Sequence, residues 1–172
     1  MASSKAHHDS EPGSIVENPD GTITFFPRGL NIVWGNDQRY WKIPGPGNER
    51  DNPAELIQVS WLEVTGSYDL KDKKKCTVEF DLSLKSDAFG WNGCQVYLMA
   101  KIGRKGKYKW TKVSLKDQTG SNRFTVPSNV LDRDSSSSNS DDKKLYFGLY
   151  EVWTGKWKGG LQIHKAIIKP VQ

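Results

Sequence analysis

"CTVEFDLSLK", residues 76–85, alternates without a break: Cys76, Val78, Phe80, Leu82 and Leu84 are apolar, while Thr77, Glu79, Asp81, Ser83 and Lys85 are polar. Successive side chains of a strand point to opposite faces, so a period of two writes one dry face and one wet face, the mark of a half-buried β-strand. "QVYLMAKI" (95–102) repeats the pattern with Val96, Leu98, Ala100 and Ile102 on one side. "KLYFGLYEVW" (144–153) and "GLQIHKAIIKP" (160–170) are rich in β-branched and aromatic residues, the second stopped by Pro170. Shorter candidates are "TITFFP" (22–27), "LNIVW" (30–34), "YKWTKVSL" (108–115) and "NRFTVP" (122–127). In "LIQVSWLEVTGS" (56–67) the apolar parity slips between Trp61 and Leu62, which predicts a β-bulge. No segment carries a capped helical stripe, and "NPAELIQVS" (52–60) holds one helical turn at most. The pattern therefore predicts an all-β chain: an antiparallel β-sandwich of jelly-roll type with eight or nine short strands.

Around that scaffold, residues 1–22, opening "MASSKAHHDSEPGS", read as a disordered leader with no apolar signal region, and 23–172 as one domain. "PGPGNERDNP" (44–53) is a turn-dense connection and "DRDSSSSNSDD" (132–142) a low-complexity loop. No stretch reaches the ~18 apolar residues of a membrane span. Cys76 and Cys94 lack zinc spacing and there is no N-x-S/T sequon, a pattern that favours a reducing, cytosolic setting, with a bridge between the two cysteines left open.

Catalytic apparatus is sparse. Of three histidines, His7 and His8 sit in the leader, leaving His164 without a nucleophile motif beside it. Glu63, Glu79, Asp81 and Glu151 could be paired for glycoside hydrolysis, but every β protein carries such acids on its wet faces. Residues 101–116, "KIGRKGKYKWTKVSLK", hold seven positive charges and no acid around Tyr108 and Trp110. This is either a sequence-nonspecific RNA-binding stretch, where rings stack bases among cations, or a lysine-protected hairpin edge.

With seven Trp, six Tyr and six Phe against a hydrophobic fraction of 35%, aromatic residues are used out of proportion. Trp61 reads as core and Trp110 as half-buried in its hairpin. Trp34, Trp41, Trp91, Trp153 and Trp157 adjoin Gly, Asn, Asp or Lys, and a ring displayed beside such neighbours suits a pyranose, apolar on its faces and polar around its edge. The competing reading makes Trp34 and Trp41 staples that hold the first strands to the sandwich.

"LNIVWGNDQRYWKI" (30–43), "AELIQVSWLEVTGSYD" (54–69) and "LYEVWTGKWKGGLQIHKAIIKP" (149–170), in that order, resemble the phloem lectin (phloem protein 2) family and its Nictaba-related members, cucurbit phloem lectins above all. The resemblance covers about residues 28 to 170. It implies a plant lectin of the cytoplasm or phloem sap, or a nucleocytoplasmic one, without catalysis, cofactor or membrane attachment. It also implies binding of chitooligosaccharides and N-glycosylated proteins, and assembly as a homodimer. The family's sugar-binding tryptophans match Trp34 and Trp41, and its late motif matches Glu151, Lys156, Trp157 and Lys158. In the groove so expected, Trp34 and Trp41 stack on N-acetylglucosamine units, Tyr40 and Asn36 bond the sugar edge, and Glu151 accepts from a hydroxyl or acetamide. Where Nictaba-like sequences carry a third tryptophan, this chain has Ile43, and "KDKKK" (71–75) is not their nuclear-entry cluster.

Overall fold

A computed structural model describes residues 5–71, 73–113, 115, 120, 123–132 and 143–171. The alternation read at 76–85 becomes the centre of a strand, β7 (Lys75–Phe89), in which Cys76, Val78, Phe80, Leu82 and Leu84 are all buried. Burying side chains of this size stabilises by roughly 1.5 to 3 kcal/mol each. Ser83 breaks the pattern on the wet side: it is also buried, because its hydroxyl is held by Gln162 and by the His164 ring. The last strand, β13 (Gly159–Pro170), runs antiparallel to β7 along most of its length and is indeed stopped by Pro170.

Around this pair lies one sheet. It also contains β1 (Ile15–Glu17), β2 (Ile23–Phe25), β4 (Trp41–Lys42), β5 (Ala54–Leu56), β10 (Phe124–Pro127) and β11 (Leu131–Asp132). The second sheet has the order β3 (Asn31–Ile32), β6 (Leu62–Asp69), β12 (Lys144–Glu151), β8 (Val96–Ile102), β9 (Lys109–Val113). All pairings are antiparallel, and the inward residues of both sheets form one core. Phe147 on β12 meets Phe25 and Phe80 of the opposite sheet edge-on, with centroids 5.1 and 5.9 Å away, the geometry that ring quadrupoles favour. The fold is the expected all-β sandwich, with thirteen strands among the described residues rather than eight or nine. The excess comes from two- and three-residue strands too short to show a period.

Several local expectations change. The parity slip at Trp61 is a change of sheet and not a bulge: β5 belongs to one sheet, β6 to the other, and the crossing is pinned by a bridge from Val59 to Lys158. The segment 52–60, given one helical turn at most by its pattern, contributes strand β5, pairing with β13. The expected leader is placed from residue 5 onward. His8 exchanges both backbone hydrogen bonds with Ile32, Ser10 bonds Asn31 and Gly29, and β1 joins β2. Its composition suggested disorder because it binds almost wholly through polar groups, which hydropathy does not register. The turn-dense connection 44–53 is anchored by Glu49, buried at 7% exposure, whose carboxylate accepts from the Ser14 hydroxyl and the Arg28 backbone N–H. Most of the low-complexity loop at 132–142 lies outside the described residues.

Both cysteines are free and buried, and burial pushes the Cys76 thiol up to about 11. A thiol reacts as its thiolate, so inertness follows. Native protein is expected to leave both thiols unlabelled by DTNB, with two equivalents released after denaturation; rapid labelling of the native chain would contradict the packing.

Candidate functional site

The connection between β12 and β13, "EVWTGKWK" (151–158), carries most of the late motif, and the structure divides it into an anchor and two displayed sides. Glu151 and Lys158 are the anchor. Both are fully buried, with Lys158 Nζ 2.9 Å from Glu151 Oε1. Lys158 gives its other donors to the carbonyls of Ser60 and Lys156, and Glu151 also accepts from the Thr154 hydroxyl and from the backbone N–H groups of Trp153 and Thr154. Burial alone would raise the Glu151 pKa, but the bonds from Thr154 and Lys158 outweigh it and hold the carboxyl below its ordinary value. Beneath the loop, Gly90 (φ +87°) comes so close to Trp157 that a Cβ there would lie 2.2 Å from the Trp157 carbonyl oxygen.

On one side of the anchor stands a strip of rings. Tyr40 is its middle, with Trp34 edge-on at 5.8 Å and Trp157 tilted by 30° at 6.3 Å. The Arg39 guanidinium, paired with Asp37, lies 5.1 Å over Tyr40, so Tyr40 is a spacer while Trp34 (38% exposed) and Trp157 (52%) offer the open surface. Trp34 has a left-handed backbone (φ 65°), uncommon for a bulky residue. The supposed leader holds it there: the Trp34 N–H donates to His7 Nδ1, the His7 ring packs edge-on at 4.9 Å, and the Asn36 amide donates to the carbonyls of Lys5 and His7. Gly35 permits the close approach, since a Cβ there would be 2.8 Å from that of His8. Next to the strip is a cleft of about 510 Å³ lined by Arg28, Asn36, Gln38, Lys42, Ile43 and Trp41.

On the other side, Trp153 leans over the outer face of the second sheet. Tyr97 meets Trp153 and Trp110 nearly at right angles, at 5.4 and 5.5 Å, and the two indoles lie 5.9 Å apart, tilted by 38°. These rings line a cleft of about 590 Å³ together with Gly93, Gln95 and Thr154. Beside Tyr97 on the same face of the sheet, burial raises the Tyr150 pKa, helped by Tyr108 and Glu63.

The structure thus brings together Trp34, Tyr40 and Trp157 but not the full expected set. Trp41 is 2% exposed in the core, closer to the staple than to a sugar contact, and its indole N–H has no acceptor among the described residues. Glu151 and Lys158 are saturated by each other and by the loop, which leaves neither carboxylate nor ammonium to grip a ligand. The Asn36 amide nitrogen is committed to the leader. Lys156 turns to the other side, its ammonium against Gly93. Trp61, read as core, is 46% exposed with its N–H on Glu63, and Trp91, read as displayed, is buried on the Gly159 carbonyl. Trp110 is 49% exposed. In the basic stretch the Lys101 ammonium lies over Tyr108 and Lys109 bonds the Val130 carbonyl. The missed cleft had a legible signal: Tyr97 and Trp110 both fall on wet-face positions of their strands.

Removing one member of a buried pair strands the other charge, at about 3 to 5 kcal/mol. Lys158→Met is expected to lose stability of that order in denaturant titrations, and Glu151→Gln/Lys158→Met to lose less. The Glu151 contribution is whole above the ordinary carboxyl pKa and disappears as pH falls through the lowered folded value. Between pH 6 and 3 the wild-type midpoint should therefore fall more steeply than that of Glu151→Gln.

The phloem protein 2 family model matches residues 21–170. Phloem protein 2-like A9 of Arabidopsis thaliana is 42% identical across 99% of this chain and 100% of its own length. A protein of Luffa acutangula named lectin is 35% identical over 38% of this chain and 34% of its own. Among solved structures, the insecticidal crystal protein Cry2Aa superposes with a TM-score of 0.50 at 10% identity, over 90% of this chain and 22% of that one, a likeness of fold alone. With the match spanning nearly the whole sandwich, the chain belongs to the phloem protein 2 family.

Proposed function

We propose that this protein is a non-catalytic lectin that binds N-acetylglucosamine oligomers and the cores of N-glycans across the Trp34–Tyr40–Trp157 strip. The observation that carries the reading is the pair of open indoles held on either side of a fixed tyrosine spacer, beside a cleft with polar walls. A pyranose face desolvates on such a ring while its hydroxyls and acetamide find polar partners at the rim. Gln38 and Lys42 supply that rim here, in place of Asn36 and Glu151. At about 0.5 to 1.5 kcal/mol per ring contact beyond area and ~1 per net hydrogen bond, affinities fall in the millimolar to micromolar range. The relative named lectin supports the class. Two buried free thiols suit the reducing cytoplasm or phloem sap, and assembly as a homodimer belongs to the same reading.

Calorimetry with mono-, tri- and tetrasaccharide of N-acetylglucosamine tests it. Affinity should rise with length, and Trp34→Ala or Trp157→Ala should weaken the trisaccharide about tenfold at an unchanged melting temperature. Trp41→Ala should instead lower stability, as core truncation does. Equal affinity for all three sugars would rule out an extended site. Binding that collapses between 50 and 200 mM salt would favour the RNA-carrier alternative of the basic stretch, since phosphate contacts release counterions.

A further inference from the structure

We infer that the Tyr97–Trp110–Trp153 cleft is a second, separate binding site, and that its ligand is an acidic glycan, an oligomer of hexuronic acid. It shares no ring with the strip and no lining residue with the strip's cleft. Neighbouring rings 5.4 to 5.9 Å apart touch each other, so nothing inserts between them and a ligand lies on top. The open indoles, 49% and 53% exposed, form a floor whose two planes turn by 38°, suited to successive sugar rings of a chain that twists. The Gln95 amide nitrogen provides a polar group at the edge of that floor, while the Thr154 hydroxyl is spent on Glu151 and the Lys156 N–H.

Charge selects the kind of sugar. Glu151 lines the cleft, yet its carboxylate is neutralised by Lys158 and filled by the Thr154 and Trp153 donors. Two lysines flank the floor. Lys156 holds its ammonium against Gly93, which lines the cleft, and Lys112 pairs opposite Tyr97 in the sheet and so shares its outward face. Among the described residues, the acid in line with Tyr97 on that face is Glu63, two strands away and bonded to the Trp61 N–H. A neutral aromatic floor between two cations matches a ring with an apolar face and a carboxylate at its margin. A nucleic acid matches it less well: a phosphate at every nucleotide asks for a track of cations, and along this face Lys101 is already held over Tyr108 and on the Arg104 carbonyl.

The indole N–H spectrum of ¹⁵N-labelled full-length protein tests this, since seven tryptophans provide seven reporters assigned by single Trp→Phe substitutions. Trigalacturonate should shift Trp110 and Trp153 and leave Trp34 and Trp157 in place, and its methyl ester should bind at least tenfold more weakly. Lys112→Ala/Lys156→Ala should remove the preference for the acid while the spectrum's dispersion reports an intact fold. The N-acetylglucosamine trisaccharide, titrated separately, reads the strip through Trp34 and Trp157, so either site can fail without the other. The inference is overturned if trigalacturonate at 10 mM moves neither Trp110 nor Trp153, if the ester binds as well as the acid, if both probes move all four indoles as one site, or if a short oligouridylate displaces the uronate at lower concentration.

Discussion

One buried ion pair determines what this surface can be. Glu151 and Lys158 leave water together, which is tolerable only because each finds further partners: two backbone N–H groups and a hydroxyl for the carboxylate, two carbonyls for the ammonium. Those partners are the loop itself. A segment with a glycine and two large indoles would otherwise be free to collapse its rings onto the nearest apolar surface. With the pair in place, Trp153 and Trp157 join different groups of rings and stay wet. The same ammonium, through Ser60 and the Val59 bridge, ties down the point where the chain passes from one sheet to the other.

The sandwich beneath supplies rigidity from a different source. Phe25, Phe80 and Phe147 lock the sheets face to face, and the long β7–β13 pairing gives the first sheet its spine. None of these three phenylalanines pairs with a ring of the strip or of the second cleft among the described residues. Stability and presentation are separable at the displayed rings themselves: truncating Trp34 or Trp157 acts on the second, whereas substitutions in the core or in the Glu151–Lys158 anchor act on the first.

What was legible in the sequence follows from physics that period and composition encode. Alternation over ten residues at 76–85 is unambiguous, and so are the paired late strands. Strands of two or three residues leave no period to read, and a parity slip looks the same whether it marks a bulge or a crossing to another sheet, as at Trp61. Exposure of a tryptophan was the harder matter. Trp34, Trp153 and Trp157 are displayed as their polar neighbours suggested, yet Trp41 and Trp91 have similar neighbours and are buried, because burial depends on which strand the next residue joins. Likewise a Glu and a Lys seven apart in a lectin-like motif read as ligand contacts, whereas the structure uses them on each other.

The strap formed by residues 5–11 alters where the functional unit begins. The family model starts at residue 21, but the turn that displays Trp34 is clamped by His7, His8 and the carbonyl of Lys5, all upstream of that point. The family model and the mechanics therefore draw different borders, whereas the likeness to phloem protein 2-like A9 takes in the strap as well. A version trimmed to the border of the family model would keep every strand from β2 onward and lose the clamp, so an assay run on it would report on a looser Trp34 than the whole chain possesses.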